Sequence, residues 1–452
     1  MKAIRSAPVR DTPRVDVVTY LTIWLVLLAG INARQVVGVF GEIGSPALLI
    51  TIPALLFWAA GWIVPQVGLD RRPHPMRPAL LLYVWIMMAS YVVAMSRPLT
   101  ELEASGAGRA LVTSLALVGI ALLVADGINT LSRLETLLRR LVTAIAFVSL
   151  LGIAQFFSGQ ALQLDIPGLV WNSEAFLAGR SAFTRPGATT LHPIEFSVVT
   201  AAALPLAIHF ALMSSDRTAR RNFAVASAII ALAVPLSISR SGLLALAVGL
   251  LTLSFAWNWR RRFSAAITFV IAVPVLWMAI PGLVGTLISL FEGTDYDPSI
   301  QARIDRRPRI MSLIRQRPWL GLGNGTWSVD DYFLIDNEIY VTTLETGITG
   351  ALVVAGIFAT GVFVAIAVKY LPGADASTGH LGHAIGASIA SIAISFATFD
   401  AFHYRILTGM LFVLLGAAGA LWRLRSDLVP QKIDSKSGFT DETILPAKPG
   451  AG

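Results

Sequence analysis

Three groups of polar residues stand out in an otherwise apolar chain. The first is Arg240, in "PLSISRSGLLAL", with hydrophobic sequence on both sides. An arginine at the centre of a membrane helix costs about 2.5–3.5 kcal/mol on insertion scales, so one kept there marks a candidate site. Ser237, Ser239, Ser241 and Gly242 beside it read as a break between two short helices that opens into a polar cavity. The second group is "TRPGATTLHPIEFS", which places Arg185, His192 and Glu195 at the mouth of a helix started by Pro193. The third joins Arg303 to "DNEIYVTTLETGITG", with Asp336, Asn337, Glu338, Tyr340 and Glu345. A guanidinium fork matches phosphate oxygens bidentately, and a carboxylate held beside arginines suits removal of a proton from a hydroxyl. On a helix Asp336 and Tyr340 would share a face. Each group also has a plainer reading: a snorkelling arginine, a carboxylate complementing a helix dipole, an acidic helix start.

The elements that must hold these residues are membrane helices. Of 452 residues, 55% are hydrophobic and 14% charged, and the mean hydropathy is +0.70. Apolar runs long enough to cross a hydrocarbon core as helices recur along the chain, about twelve in all. They lie near 17–33, 46–64, 78–95, 109–126, 138–157, 191–212, 223–237, 241–257, 264–281, 347–368, 382–398 and 405–422. The expectation is an all-α polytopic membrane protein. The runs do not alternate, which excludes a β-barrel. There is no cysteine, so disulfides, thiol nucleophiles and Cys-ligated metals are excluded. The basic N-terminus lacks a small-residue cleavage site, and the first apolar run reads as a retained span.

Loop charges set the orientation. "RRPHPMR", "RLETLLRR", "RTARR", "RRR" and the tail from Arg423 fall on one side, with all five lysines. The positive-inside rule puts that side and both termini in the cytoplasm. It also accounts for the net charge of +8 without nucleic acid. On the other side every basic residue is arginine, a pattern compatible with diphosphate recognition. The expected organisation is a cytoplasmic segment at 1–16, nine spans within 17–281 with an outer loop at 158–190, a large outer loop at 282–346, three spans within 347–422, and a disordered cytoplasmic tail at 423–452.

The large loop carries six arginines and no lysine. Its 299–316 segment reads as an amphipathic helix suited to a membrane surface, with Pro308 as a kink point. "GLGNG" (321–325) reads as a tight turn whose backbone could cradle a phosphate, although no P-loop Lys-Ser/Thr pair follows.

In the order "RPGATTLHPIEFSVVTAAALPLAI", "SRSGLLAL", "RIDRRPRIMSLIRQRPWLGLGNGTW", "DNEIYVTTLETGITG", the chain resembles the O-antigen ligase and Wzy-type polysaccharide polymerase superfamily, over about residues 110–420. The resemblance implies a GT-C-like membrane glycosyltransferase without metal or other cofactor. Its donor would be a glycan on a polyprenyl diphosphate carrier at the outer face of the cytoplasmic membrane. A glycan acceptor, membrane lipids and envelope proteins such as a flippase or a chain-length regulator would be its partners. Family arginines that hold the diphosphate match Arg185, Arg240 and Arg303. Ligases of the family usually carry a histidine just before the motif asparagine, whereas this chain has Asp336 before Asn337. The departure favours polymerase-like members and makes Asp336 the expected base, with Glu338 second. Arg240 would stabilise the leaving group, and Arg185, Arg303, His192, Asn337 and Tyr340 would contact substrate. Ligase-type transfer to another acceptor and a lipid-glycan flippase are the alternative activities.

Overall fold

The structure, a computed structural model, describes residues 16–64, 69–162, 164–173, 178–180, 183–292, 298–329 and 331–425. Residues 1–15 of the N-terminal segment and 426–452 of the tail lie outside the described residues.

The helices are α1 (Val17–Gly30), α2 (Pro46–Thr51), α3 (Ala54–Ile63), α4 (Met76–Met95), α5 (Glu101–Gly127), α6 (Leu131–Ser158), α7 (Pro193–Met213), α8 (Arg217–Leu236), α9 (Arg240–Ser254), α10 (Trp259–Ala279), α11 (Leu283–Ser289), α12 (Pro298–Gln316), α13 (Glu338–Ala367), α14 (Ala376–Ser395) and α15 (Arg405–Leu424). Two short antiparallel pairs, Gln35–Val36 with Val170–Trp171 and Ala178–Arg180 with Phe183–Arg185, brace the loops. Nine segments among the described residues are long and apolar enough to cross a membrane, α2 and α3 counting as one. Val17–Gly30 and Arg240–Ser254 are apolar but shorter.

Several helices begin before their apolar runs do. α5 starts at Glu101 rather than near 109, because Thr100 and Glu103 form a reciprocal capping box. α8 starts at Arg217 rather than near 223, with the Asp216 carboxylate accepting from Ala219 N at 2.7 Å. α13 starts at Glu338, inside the expected 282–346 loop, because the Asn337 side chain caps it by accepting from Tyr340 N. Asp336 therefore precedes the helix and does not share a helical face with Tyr340.

α15, α7 and α5 form the centre and are buried along most of their spans, whereas no side chain of α10 is buried. α7 packs on α8, α9 and α14, and α15 on α5. Lipid removes most of the hydrophobic drive between helices, so close backbone approach matters. A Cβ on Gly416 would come within 2.4 Å of Ala121 O.

α12 is helical through Pro308. The C-terminal part of its apolar side is covered, Ile310 and Ile314 being buried with Ile335 and Leu344 in a separate small core, while Ile304 is exposed. The "GLGNG" turn is likewise a packing element. Gly321, Gly323 and Gly325 all have positive φ, and their backbone is inserted between α4, α5 and α13. Leu322 N donates to Leu344 O, Gly323 N to Glu345 O, Asn324 N to Ser90 Oγ and Trp327 N to Glu345 Oε1. These donors are occupied by the protein and do not form a phosphate nest.

The turn fills a break in α13. Gly347 leaves helical geometry at φ 72°, and Ile348 N donates to Pro318 O at 2.8 Å. A Cβ on Gly347 would meet Trp319 O at 2.1 Å. Gly347→Val is expected to cost on the order of 3 kcal/mol or more, since backbone strain and a backbone clash add. Gly356→Ala, with nothing within 4 Å of the new Cβ, is expected to be neutral or slightly stabilising. Thermal unfolding of the two variants in detergent checks the contrast.

Candidate functional site

The polar residues gather at one end of the bundle, where α1 ends and α7, α9, α13 and α15 begin. Arg185, which is buried, donates through Nε to Ser237 O at 2.9 Å. That carbonyl belongs to the break between α8 and α9. The break contains Ile238 at φ 47°, a strained position for a β-branched residue, and Ser239, whose Oγ caps α9. Arg240 is the first residue of α9. The break expected around Arg240 is thus present, and it brings Arg185 beside it.

Arg303 reaches from α12 to Asp336, Nη2 to Oδ2 2.8 Å, with both side chains about one third exposed. On the same helix Arg306 donates to Leu334 O at 3.0 Å and steadies the approach to the motif. Asp336 lies within electrostatic reach of His192, Asp400 and Tyr404. It is the meeting point of segments from α7, α12, α13 and the α14–α15 connection.

His192 has a capping role. Its Nδ1 accepts from Ile194 N at 3.1 Å, at the start of α7. Burial, then the charges of Arg185 and Arg34, push its pKa down to about 4 against the opposing pull of Asp336. At neutral pH it is an uncharged ring, and with Nδ1 accepting, the proton sits on Nε2. That geometry makes His192 a hydrogen-bond donor to the site and not a proton acceptor.

Asn337 and Tyr340, expected to contact substrate, and Glu338, expected as the second base, are placed differently. Asn337 Nδ2 donates to Ala397 O at 2.8 Å while its Oδ1 caps α13. Glu338 is buried; its carboxylate accepts from Thr342 Oγ1 at 2.7 Å and Phe402 N at 3.0 Å. Its own N–H donates to Phe396 O and Phe399 O. Every one of these bonds serves backbone or a helix turn, so Glu338 is a staple for the 396–402 connection rather than a second base. Tyr340 packs against the small core formed by Ile310, Ile314, Ile335 and Leu344.

The connection that Asn337 and Glu338 hold carries Asp400, which the sequence reading missed. Burial first, and then the neighbouring Asp336 charge, raise the Asp400 carboxyl to about 7, with Arg303 opposing. Tyr404, on the same connection, has its hydroxyl pushed well above the usual range by burial and by Asp400, Glu195 and Asp336. Arg34 and Arg405, outer-side arginines that the sequence did not single out, also lie at this end. Arg34 donates to Leu191 O, and Arg405 to Ala33 O at 3.0 Å. The available signal was position: Asp400 is the single acid in a short link between two apolar helices, and Arg405 begins the second.

Glu195 is fully buried. Oε1 accepts from Ile406 N and Leu407 N, and Oε2 from Leu191 N at 2.8 Å. It joins the starts of α7 and α15, which carry His192 and Arg405. The arrangement can hold an anion among arginines, with the Asp336 and Asp400 carboxyls within electrostatic reach of each other.

Residues 225–364 match the family described as O-antigen ligase. The match covers less than half of the chain, which over those residues is similar to O-antigen ligases. It takes in Arg240, Arg303 and Asp336, but not Arg185, His192 or Asp400. No curated protein matches the sequence.

Because Asp400 binds its proton more tightly when folded than its ordinary value of 3.8, its contribution to stability falls as pH rises from about 4 through about 7. Asp400→Asn removes that penalty. The variant is expected to gain in thermal midpoint over the parent at pH 8, and to gain little or nothing at pH 4. Paired melts at the two pH values check the sign.

Proposed function

We propose that the chain transfers a glycan from a polyprenyl diphosphate donor to an acceptor hydroxyl at the outer face of the cytoplasmic membrane, polymerising polysaccharide repeat units. The observation that carries the proposal is the setting of Asp336. It is ion-paired to Arg303 and lies within electrostatic reach of Asp400 and the neutral His192. Arg185 and Arg240 flank the α8–α9 break at the same end of the bundle. The twelve-span topology with both termini cytoplasmic belongs to this proposal and places that end outside.

The acceptor oxygen attacks the anomeric carbon and forms the new glycosidic bond, while the bond from that carbon to the diphosphate oxygen breaks. The polyprenyl diphosphate leaves with the electron pair. Its growing charge is met by Arg240, Arg185 and Arg303 in a site with little water, where fixed charges act most strongly. The acceptor proton goes to the Asp336–Asp400 pair; Asp400, near neutrality, supplies affinity suited to a base working at physiological pH. His192 Nε2–H donates to an oxygen of the bound substrate. Direct displacement inverts the anomeric centre.

The matched family's description, O-antigen ligase, favours a second reading in which the same donor is passed to a different glycan acceptor. Aspartate in place of the ligase histidine before Asn337 favours polymerisation. Asp336→Asn is expected to lower transfer roughly 100-fold or more, leaving single-unit product without long chains when surface glycan is resolved by length. Glu338→Gln, which keeps an acceptor for Phe402 N, is expected to keep long chains. The parent rate should climb as pH rises through about 7 and lose that limb in Asp400→Asn. Retention of anomeric configuration, or unchanged chain length in both aspartate variants, would sink the mechanism.

A further inference from the structure

The opposite end of the bundle holds a second concentration of charge that glycan transfer does not use. A cavity of about 480 Å3 lies between the start of α4 and the end of α15, lined by Pro73, His74, Pro75, Arg77, Trp422 and Arg425 among others. It falls in the size range of small-ligand pockets.

Donors outnumber acceptors in its lining and in the Arg71–Trp62 group, which lies beside the lining residue Arg77 rather than in the lining itself. The two carboxylates nearby are fully engaged. Asp126 accepts from Arg77 at 2.9 Å and from Trp58 Nε1 at 2.8 Å, and pairs with His74 Nε2 at 2.7 Å. Asp70 pairs with Arg72 at 2.6 Å and with Arg423. Arg71 donates to Trp62 O at 2.7 Å, and Arg425 to Trp422 O. No carboxylate among the described residues pairs with Arg71 or Arg425. Trp62 Nε1 has no acceptor among the described residues. The guanidiniums lie on indole faces, Arg71 and Arg77 over Trp62 at 5.2 and 5.0 Å and Arg425 over Trp422 at 4.1 Å. The 20-residue α4 starts here without a side-chain cap, adding the positive end of its dipole.

An excess of donors in a basic cavity calls for an anion with several acceptor oxygens. Tryptophans beside arginines at the end of a membrane bundle are set at headgroup depth, where one end of the ligand is polar and the other is acyl chain. We propose that this cavity binds the phosphate of an anionic phospholipid headgroup. Arg425 and Arg71 make the charged contacts, and Trp422 and Trp62 flank the glycerol region. Arg77 stays paired to Asp126 and shapes the wall.

The test uses the full chain in detergent, titrated with phosphatidylglycerol, with phosphatidylcholine, or with inorganic phosphate, and read by thermal unfolding and by lipid retained in native mass spectrometry. The parent should be stabilised and retain phosphatidylglycerol, but not phosphatidylcholine. Arg71→Gln/Arg425→Gln, melting like the parent in phosphatidylcholine, should bind phosphatidylglycerol roughly tenfold more weakly. Arg260→Gln, an exposed arginine at the same end of the bundle, should bind as the parent does. Equal binding by the double variant, an equal loss in Arg260→Gln, or equal protection by inorganic phosphate would overturn the proposal. Should the double variant not fold, Arg425→Gln alone is held to the same comparison.

Discussion

Backbone N–H and C=O groups that leave a helix within a membrane protein have no bulk water to turn to, so the protein itself must satisfy them. The end of this bundle where the proposed site lies is organised around that constraint. Three interruptions meet there: the α8–α9 break, the Gly347 break in α13, and the α14–α15 connection. The Arg185 guanidinium satisfies Ser237 O at the first. The Pro318–Trp327 segment satisfies the second, through Ile348 N, Leu344 O and Glu345 O. Asn337 and the Glu338 backbone satisfy the third, at Ala397 O, Phe396 O and Phe399 O. At the first and third, the residues that repair the backbone are the same ones, or immediate neighbours of the ones, that carry charge into the site.

Electrostatics then follows from placement. A buried ionised carboxylate is costly unless it is paired or hydrogen-bonded, and two neighbouring ones repel. Asp336 is met by Arg303, while Asp400 retains its proton up to about neutral pH. His192, pressed by burial and by Arg185 and Arg34, remains uncharged. A bound anion therefore faces guanidiniums, an acid already paired to an arginine, and a neutral imidazole. The balance is positive, as the proposed diphosphate site would require, yet it keeps the Asp400 carboxyl near its titration point.

Hydropathy made the helices legible but misplaced their starts, for one reason. Apolar runs mark where a helix meets lipid, whereas caps mark where it begins. Thr100, Asp216 and Asn337 each start a helix in polar sequence, several residues before the grease. Among the residues of the proposed site, Arg185, Arg240, Arg303 and Asp336 were visible because a charge is rare in such a chain. Asp400 was not, since one acid in a short connection looks like any turn residue until burial and Asp336 are known. Asn337 and Glu338 were visible and misread. Their chemistry fits catalysis, but their geometry assigns them to the backbone of another segment. The glycines of 321–325 misled in the same way: positive φ is needed both to cradle an anion and to pass between packed helices, and only tertiary contacts separate the two.

Two buried glutamates explain how segments so far apart in sequence form one site. Glu195 accepts from Leu191 N, Ile406 N and Leu407 N, and so fixes the start of α7 to the start of α15. Glu338 accepts from Phe402 N, and so fixes the start of α13 to the approach to α15. Each carboxylate has its oxygens filled by donors, which makes its burial tolerable and leaves it little capacity for chemistry. The α15 N-terminus is common to both. It aligns His192, from outside the matched region 225–364, with Asp336, from inside it. A chain that kept only the matched segment would keep Asp336 and Arg303 but lose Asp400, Arg405 and the Glu195 anchor. The charge arrangement at this end thus depends on α7 and α15 as much as on the loop that advertises it.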